Sequence, residues 1–170
     1  MMEIRKALAS DAPQIFSIMN AVANETKDTG RFIGDSLQYI ISHIENDGCI
    51  FVCESTGAIA GFIIIDIPGD KPHNLGLDIG LSGNKLTTVA HMDSIALLPK
   101  FRGLGISKAL IQHGEEYLKG LGYTNFLATV HPDNAASLNS FLSLGYKIKS
   151  TVPKYGNFLR HIIYKEEFVT

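Results

Sequence analysis

Apolar positions recur along the chain with two different periods, and their alternation predicts a mixed α/β (α+β) fold. Apolar residues at helical spacing predict helices that begin after Ser10 and Asp11 and that cover 36–45, 106–122 and 135–144. Runs rich in β-branched residues predict strands at 2–7, 49–54, 58–67, 87–98, 125–131, 146–151 and 158–165. This order of elements is typical of one domain, residues 1–170, in which helices cover both faces of a mixed sheet.

The segment 68–86 interrupts this alternation with two prolines and four glycines and shows neither period. Long irregular connections are uncommon in compact domains unless they have a function. The segment is therefore either a lid over a substrate or a solvated insertion between two strands.

Composition and charge favour a globular protein without a nucleic-acid or membrane partner. Hydrophobic residues make up 45% and charged residues 19% of the chain, and the net charge is −2, so we expect no nucleic-acid partner. No apolar run approaches the roughly 20 residues of a membrane helix, and the start of the chain does not resemble a signal peptide. We therefore expect a cytoplasmic protein without a membrane partner. Cys49 and Cys53 are four residues apart on a predicted strand, which favours core positions over a disulfide or a metal site.

A predicted strand, a glycine loop and a helix follow one another between positions 87 and 122. The loop reads R-G-L-G-I-S from Arg102 to Ser107, and the helix starts at Ile106. The first N–H groups of a helix have no intrahelical partner, and glycines let an anion approach the backbone closely. The pattern predicts a phosphate site, but it matches neither G-x-x-x-x-G-K-[ST] nor G-x-G-x-x-G. A nucleotide-binding α/β module is therefore disfavoured.

Three motifs resemble the GNAT superfamily of acyl-CoA-dependent N-acetyltransferases. The loop matches Arg/Gln-x-x-Gly-x-Gly/Ala, with Ser107 at the last position, and it follows L-x-P-x-[YF]-R-G. The run from Asn134 to Tyr146 is similar to N-x-x-A-x-x-x-Y-x-x-x-G-F, and the N-terminus matches I-R-K-A-x-x-x-D. The resemblance covers nearly the whole chain, and it implies a GNAT fold whose two central parallel strands splay apart to hold acyl-pantetheine.

The same resemblance implies acetyl-CoA as co-substrate, a primary amine as acceptor and no metal. The diphosphate is expected on the amides of 102–107, and the pantetheine arm along 95–98. The residues expected to bind the co-substrate are Ile95, Leu97, Leu98, Arg102, Gly103, Leu104, Gly105, Ile106, Ser107, Lys108, Asn134, Ser137 and Phe141. Asn134 is also suited to cap the helix that follows it.

Acetyl transfer requires a base, because an alkylamine has a pKa of about 10.4. The alternation of the strand 87–98 predicts that His91, Asp93, Ile95 and Leu97 share one face. His91 and Asp93 are therefore the candidate catalytic bases, with His131 as a third, and a backbone N–H near Leu97 or Leu98 is expected to stabilise the oxyanion.

Phe141 departs from the family pattern, which has at this position a tyrosine that protonates the leaving thiolate. Solvent or Tyr155 can replace that donor, or the protein can bind acyl-CoA as a regulatory module without catalysis. Our principal hypothesis is an N-acetyltransferase acting by direct attack in a ternary complex. The acceptor stays open among small amines, peptide α-amines and lysine side chains, and a homodimer stays open as well.

Overall fold

The computed structural model describes residues 1–168 of the chain. Seven strands are present in this part, namely β1 Met2–Lys6, β2 Gly48–Ser55, β3 Ala58–Asp66, β4 Val89–Leu97, β5 Asn125–Val130, β6 Lys147–Lys154 and β7 Phe158–Glu166. The helices are α1 Ala12–Glu25, α2 Leu37–Glu45, α3 Leu75–Asp78, α4 Asn84–Thr87, α5 Ile106–Gly120 and α6 Ala135–Ser143. The predicted order of strands and long helices is confirmed.

The strands form one sheet in the order β1-β2-β3-β4-β5-β7-β6, and only the β4–β5 pair is parallel. Helices α1 and α2 pack on one face, where Ile15, Ile40 and Phe62 belong to the same apolar cluster. Helices α5 and α6 contribute Leu110 and Phe141 to the cluster on the other face. Helices therefore cover both faces, as predicted. Cys49 and Cys53 are free thiols in the core, also as predicted.

The parallel strands β4 and β5 separate soon after they start. They pair only from Val89–Asn125 to His91–Leu127, although β4 continues to Leu97 and β5 to Val130. Beyond these pairs, each strand has backbone groups on the facing edge without a ladder partner, which an inserted ligand with amide groups can satisfy. The splayed strands implied by the family resemblance are thus present.

A β-bulge at Asp93 changes the direction of the side chains along β4. The pairing with β3 moves from Ile64–Ser94 to Ile65–Met92, so Asp93 is an additional residue in β4. Ile95 and Leu97 consequently pack with Met92 in the α5 cluster. The predicted common face of His91, Asp93, Ile95 and Leu97 is therefore wrong beyond Asp93, because strict alternation ends at the bulge.

The segment 68–86 is a packed part of the domain and includes the two short helices α3 and α4, which the sequence did not indicate. Asn74 is 1% exposed and holds the two ends of the segment together. Its Nδ2 donates to the carbonyls of Gly69 and Leu86, while its Oδ1 accepts from the amide of Gly76. The segment is therefore anchored to the domain at Asn74, Leu75 and Gly76, while most of its remaining residues are exposed. No helix within residues 1–168 combines the length and the apolar character needed to cross a bilayer.

Candidate active site

The loop between β4 and α5 has the geometry of an anion site. Gly103 and Gly105 adopt positive φ angles of 77° and 78°, which let consecutive amides turn toward one side before α5 begins. Within residues 1–168, the amides of 103–108 have no hydrogen-bond acceptor, since the first helical bond runs from Ala109 to Gly105. Space beside both glycines is open, so an anion can approach the backbone.

Arg102 contributes less to this loop than expected. Its amide donates to the carbonyl of Pro99 at 3.2 Å. Its guanidinium donates to the carbonyl of Leu97 and forms a bidentate ion pair with Glu25 at 2.9 and 3.0 Å. The expected amide run of 102–107 therefore becomes 103–108 in the structure.

A cavity of about 570 Å³ opens between the splayed strands, on the side of α2 and the 68–86 segment. Several residues singled out from the sequence line it, namely His91, Asp93, Ile95, His131, Asn134, Ser137, Phe141 and Tyr155. Leu97, Leu98 and the loop 102–108 lie outside this lining. The structure therefore brings the catalytic candidates and the α6 residues together, and keeps the anion loop apart from them.

Asp93 faces this cavity and is held by a phenol. Its Oδ2 accepts a hydrogen bond of 2.7 Å from the hydroxyl of Tyr39 in α2. Burial raises the pKa of Asp93, and the charge of Asp66 acts in the same direction, while the bond from Tyr39 opposes them. A carboxylate with a raised pKa is a stronger base than an exposed one, so Asp93 is suited to accept a proton.

Asp35 is a second carboxylate in the cavity that the sequence reasoning missed. It precedes α2, and burial raises its pKa to about 6, with a further contribution from the charge of Asp93. The amide of Asp35 lies against the sulfur of Met19, which fixes the start of this turn. Its position before the cap residue Ser36 suggested a helix terminus, and no local signal distinguished it from a structural aspartate.

His91 is buried, and both of its ring nitrogens are occupied. Nε2 accepts from the amide of Leu75 at 3.0 Å, which leaves the ring proton on Nδ1, 3.2 Å from Oδ2 of Asp66. This hydrogen bonding fixes one neutral tautomer, and the nitrogen available as a base is already used. His91 is thus suited to hold β3, β4 and α3 together, whereas Asp93 has one oxygen without such a bond.

Asp66 organises the histidines below the cavity. His43 in α2 bonds to Oδ1 at 2.9 Å, and His73 bonds to Oδ2 at 2.8 Å. Nδ1 of His43 also faces an acceptor, the carbonyl of Tyr39, so the protonated ring can donate to both of these partners. Burial lowers the pKa of His43, but Asp66 and that carbonyl overcome this effect and raise it.

The same cluster contains the residues that could hold a metal ion. Asp66, His73 and His91 each place one ligand atom within 4.8 Å of the others. These atoms already pair with one another, since Nε2 of His73 hydrogen-bonds to Oδ2 of Asp66 and Nδ1 of His91 lies 3.2 Å from the same oxygen. The hydrogen bonds account for the arrangement, so we assign no metal to it.

The opposite wall of the cavity is basic and comes from β5, β7 and the β6–β7 turn. Arg160 in β7 is 4% exposed and lies near the rings of Tyr155 and Phe158. The hydroxyl of Tyr155 lies 3.1 Å from Oγ1 of Thr129, and burial raises the pKa of this phenol, which therefore keeps its proton. Sequence reasoning named Tyr155 but missed Arg160, because the strand order β5-β7-β6 brings it to the cavity.

His131, which directly follows β5, is affected by this basic wall. Its Nδ1 accepts from the amide of Asp133 at 3.0 Å. Burial lowers the pKa of His131, and the charge of Arg160 lowers it further. The ring is therefore neutral at physiological pH. Its Nδ1 already accepts a hydrogen bond from the amide of Asp133, so this nitrogen is not available to take a proton from a substrate amine.

The N-terminus of α6 combines both roles that the sequence left open for Asn134. Its Oδ1 caps the helix by accepting from the amide of Ser137 at 3.3 Å, while the residue also lines the cavity. Phe141 lies further along this helix, is 2% exposed, and packs edge-to-face on Tyr146 with ring centroids 4.9 Å apart. Its phenyl edge therefore forms an apolar boundary between core and cavity.

The candidate oxyanion donors at the end of β4 are distinguished by their hydrogen bonds. The amide of Leu98 donates to the carbonyl of Ala60 at 2.9 Å and is thus occupied. Successive amides of a strand point to opposite edges, so the amide of Leu97 faces the splayed side. Of the two candidates, Leu97 is the one oriented toward the cleft.

Comparison with known proteins agrees with this geometry. The model of the Acetyltransferase (GNAT) family matches residues 13–146, which is most of the chain. The chain therefore belongs to the GNAT family of acetyltransferases. An N-alpha-acetyltransferase of Sulfurisphaera tokodaii is 27% identical over 150 residues, covering 85% of this chain and 79% of that protein.

Two further proteins place the chain among its relatives. An uncharacterised N-acetyltransferase of Methanocaldococcus jannaschii is 29% identical over 118 residues; the match covers 69% of this chain and 47%, about half, of that protein. The structure of PaiA N-acetyltransferase from Thermoplasma acidophilum in complex with coenzyme A superposes with a TM-score of 0.71 at 16% identity, covering 98% of each chain. At this identity the likeness shows the fold.

Proposed function

We propose that this chain, as one domain over residues 1–170, transfers an acetyl group from acetyl-CoA to a primary amine by direct attack in a ternary complex. The observation that carries the proposal is a single cavity that joins the splayed edge of β4 to the carboxylate of Asp93. The relative from Thermoplasma acidophilum binds coenzyme A on the same fold, which supports acetyl-CoA as the donor.

The donor is held by backbone groups more than by charged side chains. The free amides of 103–108 and the dipole of α5 receive the diphosphate, and Ser107 and Lys108 lie in the first turn beside it. The pantetheine amides follow the unpaired edge of β4 from Ile95. Asn134 keeps its Nδ2 free for the pantetheine arm, since only its Oδ1 is used in the helix cap.

Asp93 is the general base in this proposal. An amine that enters as an ammonium ion must lose a proton before it can attack, and the raised pKa of Asp93 suits that transfer. The nitrogen then forms a bond to the thioester carbon, while the amide of Leu97 stabilises the oxyanion. His91 supports this step by fixing the position of β4, and Asp35 supports it by adding negative charge to the cavity.

The C–S bond then breaks, its electron pair stays on the sulfur as a thiolate, and the nitrogen, which is positively charged after the attack, releases its additional proton to solvent. A thiol pKa of about 8.5 makes this a fair leaving group without an acid. Phe141 cannot donate a proton. The phenol of Tyr155 also lines the cavity and, unlike that of Tyr39, does not donate to a carboxylate. We propose Tyr155 as the proton donor to the thiolate.

Thiol release from acetyl-CoA with a panel of primary amines tests the proposal. Asp93→Asn keeps the size of the side chain and its bond from Tyr39, and it should lower kcat/KM by about 10²–10⁴-fold at pH 7. The loss should narrow at high pH, where the amine deprotonates unaided. Asp70→Asn, at an exposed position of the 68–86 segment, is the matched control.

Two outcomes would contradict this account. A wild-type rate in Asp93→Asn would remove the carboxylate from the chemical step. Binding of acetyl-CoA without thiol release for any amine would favour a non-catalytic acyl-CoA-binding module, the second candidate that Phe141 supports.

A further inference from the structure

The basic wall of the cavity contains a buried arginine. Arg160 is 4% exposed although it carries a full charge, and it borders the cavity. One Nη donates to the carbonyl of Leu159 at 3.0 Å, and the other donates to the carbonyl of Gly30. A guanidinium has five N–H donors, so these two bonds leave further donors without a protein acceptor.

No carboxylate pairs with this guanidinium within residues 1–168. Two other arginines show the usual arrangement, since Arg5 pairs with Asp11 and Glu54, and Arg102 pairs with Glu25. Both are more exposed than Arg160, so they have less need of a partner. A buried unpaired charge is costly, and buried charges are normally paired. A ligand that enters the cavity can supply the missing counter-ion.

The other charged groups of the cavity do not supply that counter-ion. Arg31 is a second cation at the rim, and Lys154 is already paired with Asp78 at 3.0 Å. Asp35 and Asp93 line the cavity, but neither forms an ion pair with Arg160, and Asp93 is bonded to Tyr39. The cavity therefore has an anionic wall at α2 and a cationic wall at β7.

We propose that the acceptor is a small amino acid with a free carboxylate, which pairs with Arg160 while its ammonium group faces Asp93 and Asp35. This inference rests on the proposed acetyl transfer and specifies its substrate class. A carboxylate fits the planar fork of a guanidinium with two parallel hydrogen bonds, which a neutral amide cannot match. The flanking rings of Tyr155 and Phe158 and the two carbonyl acceptors hold the fork in one orientation.

The neighbouring histidine is consistent with this electrostatic arrangement. The pKa of His131 is lowered by burial and then by the charge of Arg160, so this wall is positive before any ligand enters. An acceptor without an anionic group, such as the N-terminus of a peptide, would leave Arg160 unpaired in a more deeply buried site. Such an amine would not form the ion pair with Arg160, and its binding would also remove water from the unpaired guanidinium, which costs free energy.

The test compares each amino acid with its own carboxamide. The panel contains L-amino acids with apolar side chains, together with glycine, β-alanine and 4-aminobutanoate, which vary the separation between amine and carboxylate. With acetyl-CoA and the full chain, the best amino acid should exceed its carboxamide in kcat/KM by about 10- to 100-fold, as expected for hydrogen bonds between charged groups.

Arg160→Gln should reduce this ratio to about one, mainly through a higher KM for the amino acid. Arg160→Lys should give an intermediate ratio, because an ammonium keeps the charge without the fork. Arg5→Gln, outside the cavity, should keep the wild-type ratio. A variant that is merely misfolded would lose activity on both substrates equally, so the ratio separates recognition from stability.

Three results would overturn the inference. These are equal wild-type rates on acids and carboxamides, an unchanged ratio in Arg160→Gln, and a preference for peptide N-termini over free amino acids. All three leave the proposed acetyl transfer intact. If no amine is acetylated, calorimetric titration of the same compounds into the CoA complex decides instead. Tighter binding of acids than carboxamides, lost in Arg160→Gln, then supports the inference, and equal or undetectable binding overturns it.

Discussion

Asp35 and Asp93 show how a single residue takes its properties from its surroundings. Both are ordinary aspartates in the sequence, yet burial raises the pKa of each, and the charge of Asp93 raises the pKa of Asp35 further. The sequence led to Asp93 because it stands on the strand before the glycine loop. It gave no indication of Asp35, which is distant in sequence and reaches the cavity only through the packing of α2.

The raised pKa of Asp35, about 6, predicts a stability cost at neutral pH. A carboxyl with a higher pKa in the folded state destabilises the fold above that pKa, and the cost disappears as the pH falls toward the unfolded value of about 3.9. Asp35→Asn should therefore raise the Tm at pH 8 by about 2–4 °C. The difference from wild type should vanish near pH 4.

Calorimetry or a dye-based melt at several pH values provides the measurement. Asp28→Asn, at an exposed position, should show no comparable pH-dependent difference. A lower Tm for Asp35→Asn at pH 8 would show that the carboxylate of Asp35 stabilises the fold.

At the scale of elements, the anion site of the β4–loop–α5 unit can be predicted from the local sequence alone. The glycines, the small Ser107 and the helical period after Ile106 together predict an anion site, and the structure has the required free amides. What the local pattern missed is the use of Arg102, whose guanidinium is engaged by Leu97 and Glu25. That pairing depends on α1, which lies far away in sequence.

Gly105→Asp should abolish the effect of CoA on thermal stability. CoA at 100 times its dissociation constant should stabilise the wild type by about 2.7 kcal/mol, because it binds only the folded state. The aspartate would place a Cβ and a negative charge in the open space where the diphosphate is expected.

Gly122→Asp is a matched control at the other end of α5, since Gly122 also has a positive φ and open space. It should lose stability to a similar extent but keep the CoA effect. An undiminished CoA effect in Gly105→Asp would move the diphosphate away from this loop.

The period-two alternation of the sequence did not predict the bulge in β4. Period-two alternation placed Asp93 and Ile95 on one face, whereas the additional residue at Asp93 turns Ile95 and Leu97 toward α5. A bulge has no reliable signal in one sequence, because it depends on the pairing partner, here Ile64 and Ile65 of β3.

At the scale of the whole molecule, Asp66 links four parts of the chain through its carboxylate. Its carboxylate connects β3 to α2 through His43, to the 68–86 segment through His73, and to β4 through His91. Burial alone would raise the pKa of Asp66, but hydrogen bonds from the three imidazoles overcome this and hold it far below its ordinary value.

Asp66→Asn should lower the free energy of unfolding by about 3 kcal/mol at pH 7, because it leaves the His43 cation buried without its counter-ion. The carboxylate stabilises the fold above its unfolded pKa of about 3.9, and this contribution is lost as the pH falls toward its folded pKa. The raised pKa of His43 adds stability below about pH 6.5 that is lost at higher pH.

Urea denaturation at pH 5, 7 and 9 measures these effects, with Asp70→Asn as an exposed control in the same part of the chain. The variant should differ most from wild type at pH 5, where His43 is fully charged. Equal stability of variant and wild type at pH 5 would show that the network contributes nothing.

The sequence by itself determined the strands, the long helices, the anion loop and Asp93 as a candidate base, because hydrophobic period, glycine conformation and helix ends are local properties. The family resemblance implied the splay of β4 from β5, but only the tertiary structure decided where it begins, the engagement of both nitrogens of His91, and the meeting of Asp35 with Arg160 across one cavity. These features depend on strand order, register and burial. Strand order, register and burial depend on contacts between segments distant in sequence, and a local sequence pattern does not indicate which distant segments make these contacts.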